Sequence, residues 1–467
     1  MTQLGTETNP LRVAIIGAGP AGFYAAEHLL KQNDVAVQVD MFDRLPTPFG
    51  LVRGGVAPDH QKIKSVTKVY DKTASDPNFR FYGYVELGRD VSLDDLRRFY
   101  HQIIFTTGAQ TDKKLGVPGE DFPGNHPATE FVAWYNGHPD YRDLQFDLTQ
   151  EKAAVIGVGN VAVDVARILS RTADELAKTD IADYALEALS QSKVKEVYLI
   201  GRRGPAQAAF TTPEIKELGE MEDADCIVLP EEAELDPLSK AALEQSTDRS
   251  LLKKVELMQE YSRRGRTSKK RVLVIRFLLS PVEILGSMEE GVKGMKLVKN
   301  ELYSTEAGTL LSRPTDQIET LECGLVFRSI GYRGVPLPGV PFHEKWGTIP
   351  NINGRVVKSQ DSQEQVIGLY TAGWIKRGPS GVIGTNKPDA VETVNMMLED
   401  MKNGITIGPE QPDRDAAAAF IKAKQPRCIS YNDWLTLDEI ELKKGEAIGR
   451  PRLKFTKIED MLTAVKK

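Results

Sequence analysis

Two stretches 140 residues apart repeat one design: "RVAIIGAGPAG" at residues 12–22 and "KAAVIGVGNVA" at residues 152–162. Each is a short apolar strand that runs into a glycine-rich turn and opens a helix. That order aims a helix N-terminus, with its free N–H groups and positive dipole, at an anion. A chain that carries the design twice points to an α/β fold in which either turn could have a domain of its own. At 467 residues it is long enough for two or three domains.

In the first copy, Val13, Ile15 and Ile16 give the strand and "FYAAEHLLKQ" the helix. Gly17 permits the tight turn, Gly19 leaves room for a pyrophosphate against the backbone, and Gly22, after Pro20 and Ala21, lets helix and strand pack closely. The next strand, "VAVQVDMFD", ends at Asp43, roughly 20 residues past the last glycine, where an acid accepts hydrogen bonds from a ribose hydroxyl. A glycine turn that merely packs a helix is the plain alternative; strand, helix and acid in register favour a dinucleotide. The second copy has Gly157, Val158, Gly159, Asn160, Val161 and Ala162 before the helix "VDVARILS". Its acid is replaced: the strand "EVYLIGRRG" ends in Arg202 and Arg203, whose guanidiniums suit the 2′-phosphate of NADP. A solvated arginine pair is the competing reading, and the position at a strand end argues against it. An acid-tailed site for FAD beside an arginine-tailed site for NADP(H) predicts two Rossmann-like dinucleotide-binding domains and hydride transfer between nicotinamide and flavin.

The totals narrow the partners. Sixty Lys and Arg against 66 Asp and Glu give a formal charge of -6, which offers no general attraction for nucleic acid or an anionic membrane. Three scattered cysteines, Cys226, Cys323 and Cys428, form no C-x-x-C, so neither a disulfide framework, a metal site nor a redox dithiol is readable. The polar start "MTQLGTETNP" and the lack of an apolar run near the roughly 18 residues a span needs predict a cytoplasmic protein, with a processed organellar protein as the alternative.

Four further blocks carry a resemblance: "PFGLVRGGVAPDH" (residues 48–60), "GNVAVDVARIL" (159–169), "GRRGPAQAAFT" (201–211) and "AGWIKRGPSGVIGTN" (372–386). Together, in order and spacing along essentially the whole chain, the sequence resembles the adrenodoxin-reductase-like ferredoxin-NADP reductases. Related disulfide reductases carry Gly-Asp where this chain has Gly373-Trp374, which separates it from them. The resemblance implies a glutathione-reductase-like architecture in which the NADP domain interrupts the FAD domain: residues 1–108 and 324–467 for FAD, 109–323 for NADP. Independently, "LECGLVFRSIGYRG" reads as a strand and small-residue turn where the chain crosses back.

By the same resemblance Gly17, Gly19, Pro20, Ala21, Gly22, Asp43, Leu51 and Val85 line the FAD site, with Trp374, Gly381, Val382 and Ile383 near the flavin ring. Asp43 stands where many members have Glu, with the same acceptor chemistry. Val158, Gly159, Asn160, Val161, Arg202, Arg203, Glu214 and Gly381 are implied by the resemblance to contact NADP. Without the family, Leu51 and Val85 read as core. His60 of "APDH" and Asp164 of "GNVAVD" are implied to approach one another near the nicotinamide, orienting it or passing a proton; otherwise Asp164 is a first-turn residue favoured by the helix dipole and His60 a loop histidine.

The implied activity is NADPH:ferredoxin oxidoreduction. Since the chain has no cluster-ligating cysteine set, the iron-sulfur cluster arrives on a ferredoxin partner. The basic run "RRGRTSKKR" (263–271) is either its steering patch or a solvated loop. A quinone or another acceptor, or a non-enzymatic FAD/NADP redox sensor, are the alternative readings. The tail beyond about residue 408 reads as a linker followed by helix, with no activity of its own.

Overall fold

In the computed structural model, which describes residues 3–467, the strand Leu11–Ile16 is buried at every position, as an apolar run in a parallel sheet covered on both faces should be. Ile15 lies between Met41 of the parallel strand Val37–Asp43 and Ile104 of the parallel strand Gln102–Phe105. The full sheet has seven strands in the order Asn351–Ile352, Arg355–Val357, Gln365–Thr371, Gln102–Phe105, Leu11–Ile16, Val37–Asp43 and Phe79–Gly83. Pairing is antiparallel only at the Asn351–Ile352 edge. Helices Pro20–Leu30 and Asn386–Lys402 cover one face, packing Phe23, Leu29, Val394 and Met397 onto Val13 and Ile15. Each of these fully buried side chains stabilises the fold by on the order of 1.5–3 kcal/mol. One charge interrupts the apolar strand: Arg12, buried, pairs with Asp40 at 3.0 Å while its own N–H donates to Nδ1 of His101 at 3.1 Å.

The second glycine turn heads a separate sheet. Six parallel strands run in the order Asn125–Pro127, Leu325–Arg328, Lys152–Ile156, Glu196–Ile200, Arg271–Arg276 and Ala224–Val228. A three-stranded antiparallel sheet, Leu279–Ser287, Gly291–Ser304 and Leu310–Glu322, follows the fifth of these. Helix Asn160–Ser170 lies against the parallel sheet and is buried at every position from Ala162 to Ser170, Asp164 and Arg167 included.

The chain accordingly divides into two units: residues 3–56, His60–Thr111 and Tyr332–Lys467 form the first, Ala57–Asp59 and Asp112–Gly331 the second. The return to the first unit falls a strand later than the sequence boundary of 324, because Leu325–Arg328 pairs in register with Lys152–Ile156 and belongs to the second sheet. No helix among the described residues is long and apolar enough to cross a membrane.

Candidate functional site

Gly17 has φ +110°, and a Cβ there would sit 2.7 Å from the Thr106 carbonyl oxygen, so only glycine turns the chain at this point. Gly19, by contrast, faces open space. It caps helix Pro20–Leu30 without any side-chain hydrogen bond, and Pro20 follows at the first helical position. The first turn of that helix therefore has no side-chain acceptor for its N–H groups, the condition in which a helix N-terminus takes an anion.

Asp43 ends the neighbouring strand. Its two oxygens accept from the Ala18 and Leu45 N–H groups, each at 2.9 Å. Burial pushes its carboxyl up, and those two donors pull the other way. A buried carboxylate whose charge is under that pressure is eased by further hydroxyl donors, which suits a ribose. Val85, buried, donates its N–H to the Asp43 carbonyl at 2.9 Å and so fixes the strand end.

The loop before Leu51 is strapped to the glycine turn. Phe49 donates its N–H to the Ala18 carbonyl at 2.7 Å, and a Cβ on Gly50 would meet the Gly19 Cα at 3.0 Å. Phe49 itself has φ +82°, costly for a bulky residue and sustained by this packing. Leu51 then opens the short helix Leu51–Gly54, half-buried. Sequence reasoning missed what holds that helix. Glu441, 388 residues away and wholly buried, accepts both Arg53 guanidinium nitrogens at 2.8 and 2.5 Å, the Phe455 N–H at 2.8 Å and Arg452 at 3.0 Å.

Trp374 follows Gly373 (φ +80°), whose N–H donates to Asp389 at 2.5 Å. The indole N–H donates to the Ser380 carbonyl, as does Arg377, which also reaches Asn386. The loop carrying Gly381, Val382 and Ile383 is thereby folded back on Trp374, with Val382 left 53% exposed. A cavity of ≈ 430 Å³ opens beside it, bordered by Arg377, Gly381, Thr385 and Asp389. His60, buried, caps the short helix Gln61–Lys64 of the same unit.

The second unit repeats the turn. Gly157 has φ +127°, Gly159 faces open space, and helix Asn160–Ser170 has no side-chain cap. The Val158 carbonyl accepts from Ala209 and Phe210, and the Asn160 amide oxygen accepts the Thr211 N–H at 2.8 Å. Val161 is half-buried beside them. The backbone of the arginine pair is pinned: the Arg202 carbonyl accepts from Asn300 at 2.9 Å and the Arg203 carbonyl from the Leu278 N–H at 3.2 Å. Their guanidiniums make no ion pair among the described residues. Burial and the adjacent Arg202 both disfavour the charge on Arg203, so an anion placed between them would relieve both effects.

Asp164 and Glu214 lie deeper. Both are buried, with carboxylate oxygens within 4.8 Å of one another, and both face Arg167, which sequence reasoning also missed. The only local signal was the spacing: Asp164 and Arg167 stand three apart in an otherwise apolar helix, where an acid and a base must pair.

Several side chains of the basic run at 263–271 are held by contacts within its own unit. Arg264 pairs with Glu260 at 2.5 Å, Lys269 donates to the Met221 carbonyl at 2.6 Å and Arg271 to the Arg171 carbonyl at 2.7 Å. Arg266 and Lys270 lie 3.9 and 3.8 Å from Glu196 and Asp223. Hydrogen bonds to carbonyls leave the charge of Lys269 and Arg271 in place, and the exposed pairs of Arg266 and Lys270 are weak.

Residues 11–218 match the family described as pyridine nucleotide-disulphide oxidoreductase. The chain is 44% identical to "NADPH-ferredoxin reductase FprA" of Mycobacterium tuberculosis over 462 residues, covering 97% of this chain and 98% of that protein. It is 41% identical to the mitochondrial "NADPH:adrenodoxin oxidoreductase" of Arabidopsis thaliana, covering 98% and 96%. The solved structure of Mycobacterium tuberculosis FprA in complex with NADPH superposes with a TM-score of 0.91 at 43% identity, covering 98% of this chain and all of that one.

Proposed function

The chain belongs to the adrenodoxin-reductase-like ferredoxin-NADP reductases, within the pyridine nucleotide-disulphide oxidoreductases, and on that premise we infer that it is an FAD-dependent NADPH:ferredoxin oxidoreductase. The observation that carries the reading is the contrast between the two turns. One ends its second strand in a buried carboxylate with capacity for hydroxyl donors; the other follows its second strand, after Gly201, with two guanidiniums that lack a counter-ion among the described residues. The first fits the ribose of FAD and the second the 2′-phosphate of NADP(H).

The bound flavin supplies the conversion between a two-electron hydride donor and one-electron delivery to an iron-sulfur protein. The chain's own residues bind and orient. The uncapped turns at Gly19 and Gly159 receive the pyrophosphates, Asp43 holds the ribose, and Arg202 and Arg203 select the phosphorylated nicotinamide cofactor. Leu51, Val85, Trp374 and the Gly381–Ile383 loop enclose the flavin end. Val158, Asn160, Val161, Glu214 and Gly381 surround NADP, and His60 and Asp164 orient the nicotinamide or carry a proton.

Cys226, Cys323 and Cys428 are all buried free thiols. They supply no cluster ligands, so the partner brings the iron.

The arginine pair gives the direct test. Replacing both Arg202 and Arg203 with Ala should raise the KM for NADPH by about 10- to 100-fold, the loss of one or two charge-assisted contacts, while leaving NADH turnover unchanged. Equal losses with both cofactors would remove the specificity assignment.

A further inference from the structure

A guanidinium with no exposed surface sits in the middle of helix Asn160–Ser170. Desolvating one ion costs several kcal/mol, so a buried cation must be matched by an acid. Arg167 is matched four times. Its Nε and Nη2 donate to the two oxygens of Asp59 at 2.8 and 3.0 Å, and Nη2 also donates to Asp164 at 2.7 Å. Nη1 lies 3.4 Å from Glu214 and 3.8 Å from Glu217. Burial opposes the charge on Arg167, but Asp164, Asp59 and Glu214 outweigh it and hold the proton more firmly than usual. One turn on, Arg171 reaches Asp59 at 3.1 Å and Glu175 at 3.2 Å.

One acid would balance the charge, and where the others stand is informative. Asp164 stands on the helix whose N-terminus receives the NADP pyrophosphate. Glu214 stands on helix Thr212–Leu218, entered from Thr211, whose N–H is held by Asn160 at that same N-terminus. Asp59 immediately precedes His60, on a three-residue segment that belongs to the second unit although the chain on both sides of it belongs to the first. Asp180 reinforces that attachment, donating its N–H to the Pro58 carbonyl at 3.4 Å.

We propose that Arg167 is a positioning residue for hydride transfer: one buried guanidinium fixes Asp164 and Glu214 at the nicotinamide-binding turn and, through Asp59, anchors the peptide that leads into His60. The proposal rests on the reading that NADPH reduces the bound flavin.

Two variants test it. Asp59→Asn removes one charged arm and leaves the cation in place. Arg167→Lys keeps the charge, but a single ammonium cannot reproduce the forked contacts. Each FAD-loaded variant is measured for flavin content, thermal midpoint, NADP⁺ dissociation constant by calorimetric titration, and rate of flavin bleaching by NADPH in stopped flow. Flavin content should be unchanged and the NADP⁺ constant within about threefold of the parent, while bleaching slows by about tenfold or more, as misplacement remote from the chemistry does. The double variant should be no slower than the slower single one, since both break the same contact. Parental bleaching rates in both variants would overturn the proposal. So would rates that fall only in step with NADP⁺ affinity and thermal midpoint, as for an ion pair that merely holds the fold. If NADPH fails to bleach the parent protein, the NADPH-to-flavin reading itself falls.

Discussion

Asp43 closes the second strand of one copy, whereas in the other Arg202 and Arg203 follow Gly201, the residue level with it; we propose that their opposite charge assigns the two cofactors. The two strand-turn-helix units that carry them were legible in the sequence because strand, turn and helix are contiguous, so residue spacing stands in for geometry. Arg167 was not, because a base in an apolar helix announces a partner without saying which, and three of its four acids come from other segments. His60 and Asp164 were singled out by resemblance alone; the fold shows each to be buried, where a titratable group is retained only with partners. His60→Ala and Asp164→Ala should each keep FAD bound and slow NADPH-driven flavin reduction by about 10²-fold or more, the scale of a lost acid-base or orienting group. Unchanged hydride-transfer rates in both variants, read by stopped-flow absorbance, would show that neither residue acts beyond packing.

At the level of elements, the C-terminal tail changes meaning. From sequence it was a linker followed by helix; in the fold, helix Tyr431–Glu446 and the return through Arg452 and Phe455 hold the helix Leu51–Gly54 from outside. Trp434 completes the grip, its ring 5.2 Å from the Arg53 guanidinium. No local pattern could reveal a contact across 388 residues. Burial raises the proton affinity of Glu441, but Arg53, Arg452 and the Phe455 N–H outweigh it and hold its carboxyl below the usual value. Its contribution to stability is therefore full above the unfolded carboxyl range and lost as pH falls through the lowered folded value. Glu441→Gln leaves Arg53 and Arg452 without their shared acid and should cost about 3–5 kcal/mol, with FAD released more readily because the loop at Phe49 and Leu51 loosens. Chemical unfolding and flavin fluorescence check this; a variant with parental stability and flavin retention would mean that the tail only covers the loop.

Across the whole molecule, each unit carries a histidine that burial keeps neutral. His101 in the first unit and His126 in the second both fall from 6.5 to about 4, through burial first and then a neighbouring arginine, Arg12 and Arg328 respectively. Between those values the unfolded chain binds protons that the folded chain does not, so stability falls as pH drops from 6.5 toward 4. Thermal midpoints measured across that range should decline, and His101→Gln with His126→Gln should flatten the decline; an unaltered slope would place the acid sensitivity elsewhere. The two-unit plan itself was legible from the repeated turns, whereas its edges were not. A strand such as Leu325–Arg328 declares its sheet only through its neighbours, and Ala57–Asp59 joins the second unit through the Asp59 carboxylate and the Pro58 carbonyl in a loop.

We propose that an NADPH-selective turn and an FAD turn together serve a one-electron iron-sulfur acceptor. Cytochrome c reduction by the FAD-loaded protein, with NADPH or NADH and with or without an added acidic ferredoxin, tests it most directly. Strong preference for NADPH and a rate that depends on ferredoxin are the predicted results. Equal service by NADH, or no acceleration by ferredoxin, would contradict it.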